Sequence, residues 1–218
     1  FDSIRSNGRG SGLWVRSGGS LVAHGTEDQP IIFTSIHDDV GGDTNNNGVV
    51  SVPTRGDWYG IKLDGDASDI SHAEVRYAGN SFFAGFSILG GVEIRGGSRA
   101  RVTDTVISDN RANGLAVIEP AEPTLERLTI EENGGFGAYT TLSSGSVIVR
   151  DSVVRNNEDG AIRMRPDNAL LFEDTEFIGN TPQIVDINNG TDTISHDTRW
   201  QYLGGLIYVD DGNGRLFL

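Results

Sequence analysis

Apolar and polar residues alternate in four short segments of the chain between Arg101 and Asn188. Each segment has an apolar residue, a small or apolar residue three positions later, a second apolar residue two positions after that, and then an asparagine. The segments are Val102–Asn110, Leu125–Asn133, Val149–Asn157 and Phe172–Asn180. The i, i+2 alternation indicates β-strands rather than helices. The closing asparagines are 23, 24 and 23 residues apart, and a fixed period of this size is typical of a solenoid.

The recurring asparagines, Asn110, Asn133, Asn157 and Asn180, predict a structural ladder. A coil with one or two short strands cannot bury its own apolar face, so each strand should pair with the equivalent strand one coil away. Asparagines stacked at that spacing, about 4.8 Å, can each donate from the side-chain amide to the carbonyl of the next. We therefore expect these four side chains to face inward at a sharp bend.

Residues 1–218 are predicted to form one domain built on this repeat. Residues 1–35 are interpreted as two incoming coils and residues 58–188 as the central coils, while residues 37–57 break the rhythm and predict a long outward loop. Residues 189–218 either cap the solenoid or begin a new unit. Because the pattern is already under way at Phe1, the chain is interpreted as a piece of a longer protein, with neighbouring domains as partners.

A second strand is predicted to recur in each coil and to build one continuous face. Its copies start at Gly91 and then cover Leu115–Ile118, Ala138–Thr141, Ile162–Arg165 and Val185–Asn188. Alternation predicts an inward set of Val92, Ile94, Val117, Ile162, Met164, Val185 and Ile187. The predicted outward set is Glu93, Ala116, Tyr139, Arg163 and Asp186, flanked by Arg95, Ile118, Thr141, Arg165 and Asn188. We interpret this outward face as solvated.

These repeats resemble the right-handed parallel β-helix, the architecture shared by pectate lyases, polygalacturonases and many large bacterial surface proteins. The segments Gly19–Thr26, Pro30–Ser35 and Gly56–Ile61 are similar to recurring units of the bacterial surface proteins. The resemblance implies an all-β fold, a single-stranded right-handed parallel β-helix with coils of about 23 residues and long outward loops. It says little about activity, because this fold hosts many functions.

Charge and composition limit the classes of partner that the protein can bind. The net charge is −14, from 31 acidic and 17 basic residues, which argues against a nucleic-acid partner because phosphate binding requires a basic surface. No stretch approaches the ~18 apolar residues of a membrane span, so membrane insertion is not expected. The acidic balance fits an extracellular or cell-surface setting rich in calcium, although it also fits simple solubility.

The predicted loop contains a candidate calcium motif, Asp43-x-Asn45-x-Asn47-Gly48. This spacing matches the first half of an EF-hand loop, with side-chain oxygens at positions 1, 3 and 5 and a glycine at position 6. The backbone carbonyl at position 7 would come from Val49. The alternative is an Asn/Gly-rich turn that binds no metal.

The second half of the motif departs from an EF-hand. Position 12 is Thr54 instead of a bidentate glutamate. Asp57, Asp38 or Asp39 would have to supply the missing carboxylate. With only one charged ligand in the motif itself, the expected affinity for calcium is modest.

The outward face also carries candidate glycan-binding residues. β-Helices that cleave polysaccharides place their sites on the outside of such a sheet, and an acidic sugar would need arginines such as Arg163 and Arg165, with Tyr139 and Glu93 beside them. Glu93 and Asp186 lie four coils apart, roughly 19 Å, whereas glycosidase carboxylates lie about 5–9.5 Å apart. No catalytic set is therefore predicted. The aromatic segment Ser81–Leu89 either stacks on sugars or folds back over the coil.

Two functions follow as expectations. The favoured one is a non-catalytic structural or adhesive module of a large secreted or cell-surface bacterial protein, stabilised by calcium and in contact with a polysaccharide or cell-surface glycan. The alternative is a fragment of a lyase or glycoside hydrolase acting on acidic polysaccharide.

Overall fold

The computed structural model describes residues 11–48, 51–65, 67–79, 89–142, 147–167, 170–187, 194 and 197–209. In these ranges the regular elements are 18 β-strands, and every pairing between them is parallel. They hold no helix that is long and apolar enough to cross a membrane. The predicted all-β parallel solenoid is confirmed.

One flat side of the solenoid is an eight-stranded sheet, to which successive coils each contribute one strand. We call it the first sheet. Its strands, in order, are β1 (Gly12–Val15), β4 (Gly60–Leu63), β6 (Gly90–Ile94), β8 (Asn113–Val117), β11 (Phe136–Thr140), β14 (Gly160–Arg163), β17 (Ile184–Asp186) and β18 (Ile207–Val209). Each neighbour is one coil away, as expected for strands that cannot bury an apolar face alone.

The other two sides are formed by one ten-stranded sheet that is bent lengthwise. Two long strands, β5 (Asp69–Arg76) and β7 (Arg101–Ser108), cross the bend. On one side of it lie β2 (Val22–His24), β9 (Thr124–Glu126), β12 (Val147–Arg150) and β15 (Leu170–Glu173). On the other side lie β3 (Ile31–Phe33), β10 (Thr129–Glu131), β13 (Val153–Arg155) and β16 (Glu176–Ile178).

One residue per coil makes the bend by adopting a left-handed backbone conformation. These residues are His72, Asp104, Arg127, Asp151 and Asp174, with φ between 46° and 51°. Three of the five are aspartates, whose short polar side chain tolerates positive φ better than most residues. The single-residue bend explains why the repeat pattern loses its alternation in the middle of each segment.

Parallel pairing stacks equivalent apolar residues into columns that form the core. One column on the bent sheet contains Val102, Leu125, Val149 and Phe172, and the next contains Ile107, Ile130, Val154 and Phe177. Their side chains are at most 8% exposed. Burial of a large apolar side chain contributes about 1.5–3 kcal/mol, so these columns are a main source of stability.

The asparagine ladder is confirmed. Asn110, Asn133 and Asn157 are fully buried and Asn180 is 4% exposed. Each side-chain amide nitrogen in the first three donates to the carbonyl oxygen of the next, at 2.9, 2.9 and 2.8 Å. That oxygen also accepts the backbone N–H of the preceding asparagine at 3.1 Å in each case. Ala78 occupies the same place one coil earlier and donates its N–H to Asn110.

Glycines on the first sheet leave room for the ladder. A Cβ added at Gly91, Gly114 or Gly137 would lie 2.5, 2.7 or 2.8 Å from the amide nitrogen of the ladder asparagine beside it. A real Cβ atom essentially never lies that close to another heavy atom, so the close approach of sheet and ladder at these three positions favours glycine. Ala161 holds the equivalent place in the following coil.

The predicted strands of the first sheet are found one or two residues earlier than expected, but their register is as predicted. Glu93, Ala116, Tyr139, Arg163 and Asp186 are aligned on five consecutive strands. In the part of residues 1–35 that the structure describes, one coil is present, made by β1, β2 and β3. Asn188 and residues 81–88 of the aromatic segment lie outside the described residues.

Candidate functional sites

The loop between β3 and β4 gathers four of the predicted calcium ligands around a short stretch of backbone. Asp43 accepts hydrogen bonds from the N–H groups of Asn47 at 3.1 Å and Gly48 at 2.8 Å. Asn45 Oδ1 accepts from the same Asn47 N–H at 3.1 Å. Thus two motif side chains already converge on one backbone amide. Val49 lies outside the described residues.

Asp39 belongs to the same cluster through Ser51. Its carboxylate accepts the Ser51 N–H at 2.8 Å, while the Ser51 hydroxyl oxygen accepts the side-chain amides of Asn45 at 2.6 Å and Asn47 at 3.0 Å. The hydrogen bond from Ser51, assisted by those from Thr44, holds the pKa of Asp39 below its usual value. Asp39 is therefore kept ionised, which a cation ligand requires.

Asp38 and Asp57 are held by other partners. Asp38 Oδ2 accepts from the Thr34 hydroxyl at 2.6 Å and pairs with Arg76 Nε at 2.7 Å. Asp57 Oδ2 accepts the Ser35 hydroxyl at 2.7 Å and the Thr54 N–H at 3.0 Å. Both anchor the base of the loop to the solenoid.

Hydrogen bonding also governs the ionisation of Asp57. Burial acts to raise the pKa of Asp57, but the hydrogen bonds from Thr54 and Ser35 outweigh it and leave that pKa below its usual value. Across the described ranges, no three His, Asp or Glu side chains gather closely enough to hold a metal ion. A calcium ion in this loop would therefore rely on Asp39 and Asp43 together with amide and backbone oxygens, a donor set of the hard type that calcium prefers.

A strap at the end of this loop crosses several coils, and sequence analysis did not predict it. Arg55 donates to the carbonyl of Glu132 at 2.6 Å and pairs with Glu158, one coil farther along. The next residue, Gly56, donates its N–H to the Tyr77 carbonyl at 3.0 Å. The loop is thereby fastened along the solenoid axis instead of projecting freely.

The prediction that the outer face of the first sheet is solvated is wrong at three of its five positions. Glu93 and Ala116 are fully buried and Asp186 is 4% exposed. The Glu93 carboxylate accepts the Leu89 N–H at 2.8 Å and lies 3.3 Å from Arg95 and 3.8 Å from Lys62. Lys62, the only lysine of the chain, is itself 5% exposed.

The arginines proposed as sugar ligands are paired with carboxylates. Arg163 Nη2 lies 3.2 Å from Asp186 Oδ2, and its guanidinium lies 5.3 Å from the centre of the Phe136 ring. Arg165 Nε lies 3.1 Å from the buried Asp167. Tyr139 is half-buried between these coils. Glu93 cannot contact a glycan from its buried position, so of the four predicted residues only Tyr139, Arg163 and Arg165 reach the surface.

A polar groove of about 380 Å³ lies along the bend of the ten-stranded sheet. Its lining includes Thr26, Glu27, His72, Glu74, Asp104 and Arg127. Arg127 donates to both carboxylate oxygens of Asp104, at 2.6 and 2.9 Å. These hydrogen bonds lower the pKa of Asp104 and raise that of Arg127. The sequence signal that could have revealed the groove is the recurrence of polar residues at the bend position.

Comparison with known proteins agrees with this architecture. The family model described as "Right handed beta helix region" matches residues 40–213, most of the chain. No curated protein and no solved structure gives a significant match.

Proposed function

The chain belongs to the right-handed β-helix family, and from that premise we propose that it is a non-catalytic structural or adhesive module of a larger secreted or cell-surface protein. Proteins of this family are often extracellular or surface-exposed. The net charge of −14 supports the same compartment, since acidity keeps a domain soluble and suits calcium-rich surroundings.

The observation that carries this proposal is the pairing of charges on the first sheet. Glu93 is enclosed by Lys62 and Arg95, and Arg163 is neutralised by Asp186. A buried carboxylate surrounded by two cations and a backbone N–H already has its polar partners within the protein and is shielded from a substrate. General acid or base catalysis needs the opposite, a group in reach of a substrate proton.

A glycan contact is the adhesive part of the proposal. Tyr139 and Arg163 are paired on adjacent strands, and Arg165 follows two residues after Arg163, so that an aromatic ring and two guanidinium groups are offered at the surface. Guanidinium groups bind carboxylates in a bidentate manner, which suits an acidic polysaccharide. In that case the sugar carboxylates would compete with Asp186 and Asp167 for the arginines.

Calcium is the proposed cofactor of the loop. Asp39, Asp43, Asn45 and Asn47 share partners through Ser51 and Asn47 N–H, which supports their acting as one donor set. The ion would order the loop and hold its carboxylates together. Asp38 and Asp57 would support the loop from its base rather than bind the ion directly.

A paired assay tests the proposal. Wild-type protein and the variants Arg163→Ala and Arg165→Ala are incubated with a panel of uronate and neutral polysaccharides, with calcium, and followed for unsaturated products and reducing ends. Binding is measured in parallel by calorimetry. We expect no turnover, and weaker binding of acidic polysaccharide by both variants than by wild type. Turnover that disappears in either variant would show a lyase or hydrolase instead, and equal binding by all three proteins would remove these arginines from the site.

A further inference from the structure

The ladder and the bent sheet both end at the sixth coil in the described residues. Among the described strands, β15 pairs only with β12, and β16 pairs only with β13. The backbone groups on the far edge of such strands are templates for another strand, including one from a second molecule. What the structure places against these groups therefore decides whether the end can be extended.

Inside the ladder, each asparagine makes the same two contacts with the backbone of the preceding coil. Its Oδ1 accepts the backbone N–H of the previous asparagine, and its amide nitrogen donates to the carbonyl three residues before that asparagine. The carbonyl contacts are Asn133 to Ile107 at 3.1 Å, Asn157 to Ile130 at 3.1 Å and Asn180 to Val154 at 2.9 Å.

Gln183 reproduces both contacts after the last asparagine. Its Oε1 accepts the backbone N–H of Asn180 at 2.8 Å, and its Nε2 donates to the carbonyl of Phe177 at 2.7 Å. Phe177 is the residue three positions before Asn180. The glutamine amide thus occupies the place that the asparagine of a further coil would take, although it comes from a residue only three positions along the chain.

Gln201 does the same for the edge of β15. Its Oε1 accepts the Phe172 N–H at 2.7 Å and its Nε2 donates to the Phe172 carbonyl at 3.0 Å. Both backbone groups of Phe172 are thereby satisfied by one side chain, as a neighbouring strand would satisfy them.

Aromatic residues next to Gln201 hold it over that edge. Trp200 stacks on Tyr208 of β18 with ring centres 5.2 Å apart and planes at 4°, and its indole donates to the Pro166 carbonyl at 3.0 Å. The Tyr208 hydroxyl donates to the Gln201 carbonyl at 2.7 Å. Tyr208 on β18, the last strand of the first sheet, therefore helps to hold the residue that closes the other sheet.

We propose that Gln183 and Gln201 close the end of the bent sheet, at β15 and β16, against a second copy of the chain. The partner excluded is the first coil of another molecule, whose β2 and β3 pair only with β5 among the described strands. Addition of β2 and β3 to β15 and β16 would be head-to-tail, so it would generate open-ended polymers rather than closed dimers. Apolar residues at these two edges, Val22 at 66% and Ile178 at 51% exposure, would favour that contact.

The test compares the double variant Gln183→Ala/Gln201→Ala with wild type and with Gln29→Ala. Gln29, the one other glutamine in the sequence, lies exposed in the turn between β2 and β3 and is the matched control. Sedimentation velocity over a hundredfold range of concentration should show monomers for wild type and control. The folded double variant should form a concentration-dependent series of oligomers. A folded double variant that stays monomeric over the whole range overturns the proposal.

If the double variant fails to fold, the single variants Gln183→Met and Gln201→Met test whether each glutamine closes its edge. Methionine keeps the length of the side chain but removes both hydrogen bonds. Hydrogen exchange should be at least tenfold faster at the Asn180 amide in the first variant and at the Phe172 amide in the second. The Asn133 amide, two coils away, should keep its wild-type rate in both. Unchanged exchange at Asn180 and Phe172 would show that the glutamines do not close the end.

Discussion

Removal of the Asn133 side chain should destabilise the protein strongly, because this residue lies in the middle of the ladder. In Asn133→Ala the buried Asn110 N–H loses its acceptor, the Asn110 amide loses its 2.9 Å partner, and the Ile107 carbonyl loses a 3.1 Å donor. Asn157 Oδ1 loses one of its two donors.

The size of the effect follows from these contacts. A buried donor left without a partner costs about 1–3 kcal/mol, and each of the remaining lost hydrogen bonds about 0.5–1.5 kcal/mol. With one unpaired donor and three further lost hydrogen bonds, we expect a loss of about 2.5–7.5 kcal/mol in the free energy of unfolding. A loss of about 1 kcal/mol lowers the Tm of a chain of this size by roughly 2–4 °C. Asn133→Asp keeps an acceptor for Asn110 but sets a buried carboxylate against the Ile107 carbonyl, so it should be at least as destabilising as alanine.

The assay is urea denaturation followed by circular dichroism, with Gln29→Ala as the control for loss of an exposed amide. The control should lie within about 0.5 kcal/mol of wild type, as surface substitutions usually do. An Asn133→Ala protein that also falls in that interval would refute the reasoning, because the buried groups would then be satisfied without the ladder.

Three further predictions concern the loop, the bend and the glycine row. Calcium in the millimolar range should raise the Tm and EDTA should lower it. Asp43→Ala should abolish the difference between the two conditions. A Tm that does not change with calcium, together with no heat of binding in calorimetry, would contradict the metal site. Arg127→Ala should raise the pKa of Asp104 measured by NMR titration, because the hydrogen bonds from Arg127 hold that pKa below its usual value. The lowered pKa stabilises the folded protein above the unfolded-state pKa of Asp104, and this contribution is lost as the pH falls through the folded-state pKa. An unchanged pKa in the variant would count against the Arg127–Asp104 pair. Gly137→Ala should lower stability by about 1–3 kcal/mol, since its Cβ would lie 2.4 Å from Val154 Cγ1 and 2.8 Å from the amide nitrogen of the ladder residue Asn157. A neutral effect in urea denaturation would mean that the sheet can move away from Val154 and from the ladder.

The sequence by itself determined the coil, its period and the ladder. These depend on contacts between equivalent residues one period apart, so the spacing of Asn110, Asn133, Asn157 and Asn180 already encodes which groups will meet. The outward register from Glu93 to Asp186 was predictable for the same reason, since strands that stack in parallel carry their alternation from coil to coil.

Only the tertiary structure decided which side chains are covered and which contacts join separate coils outside the repeat. Alternation along a strand gives the side on which Glu93 projects, but it does not show that Lys62 of the preceding coil, together with Arg95 and the Leu89 N–H, encloses the Glu93 carboxylate. The strap from Arg55 to Glu158 and the cap from Gln201 to Phe172 join residues 103 and 29 positions apart, outside the 23-residue rhythm. Neither contact repeats from coil to coil, so the periodic sequence pattern cannot predict it. Only the folded chain brings these groups together.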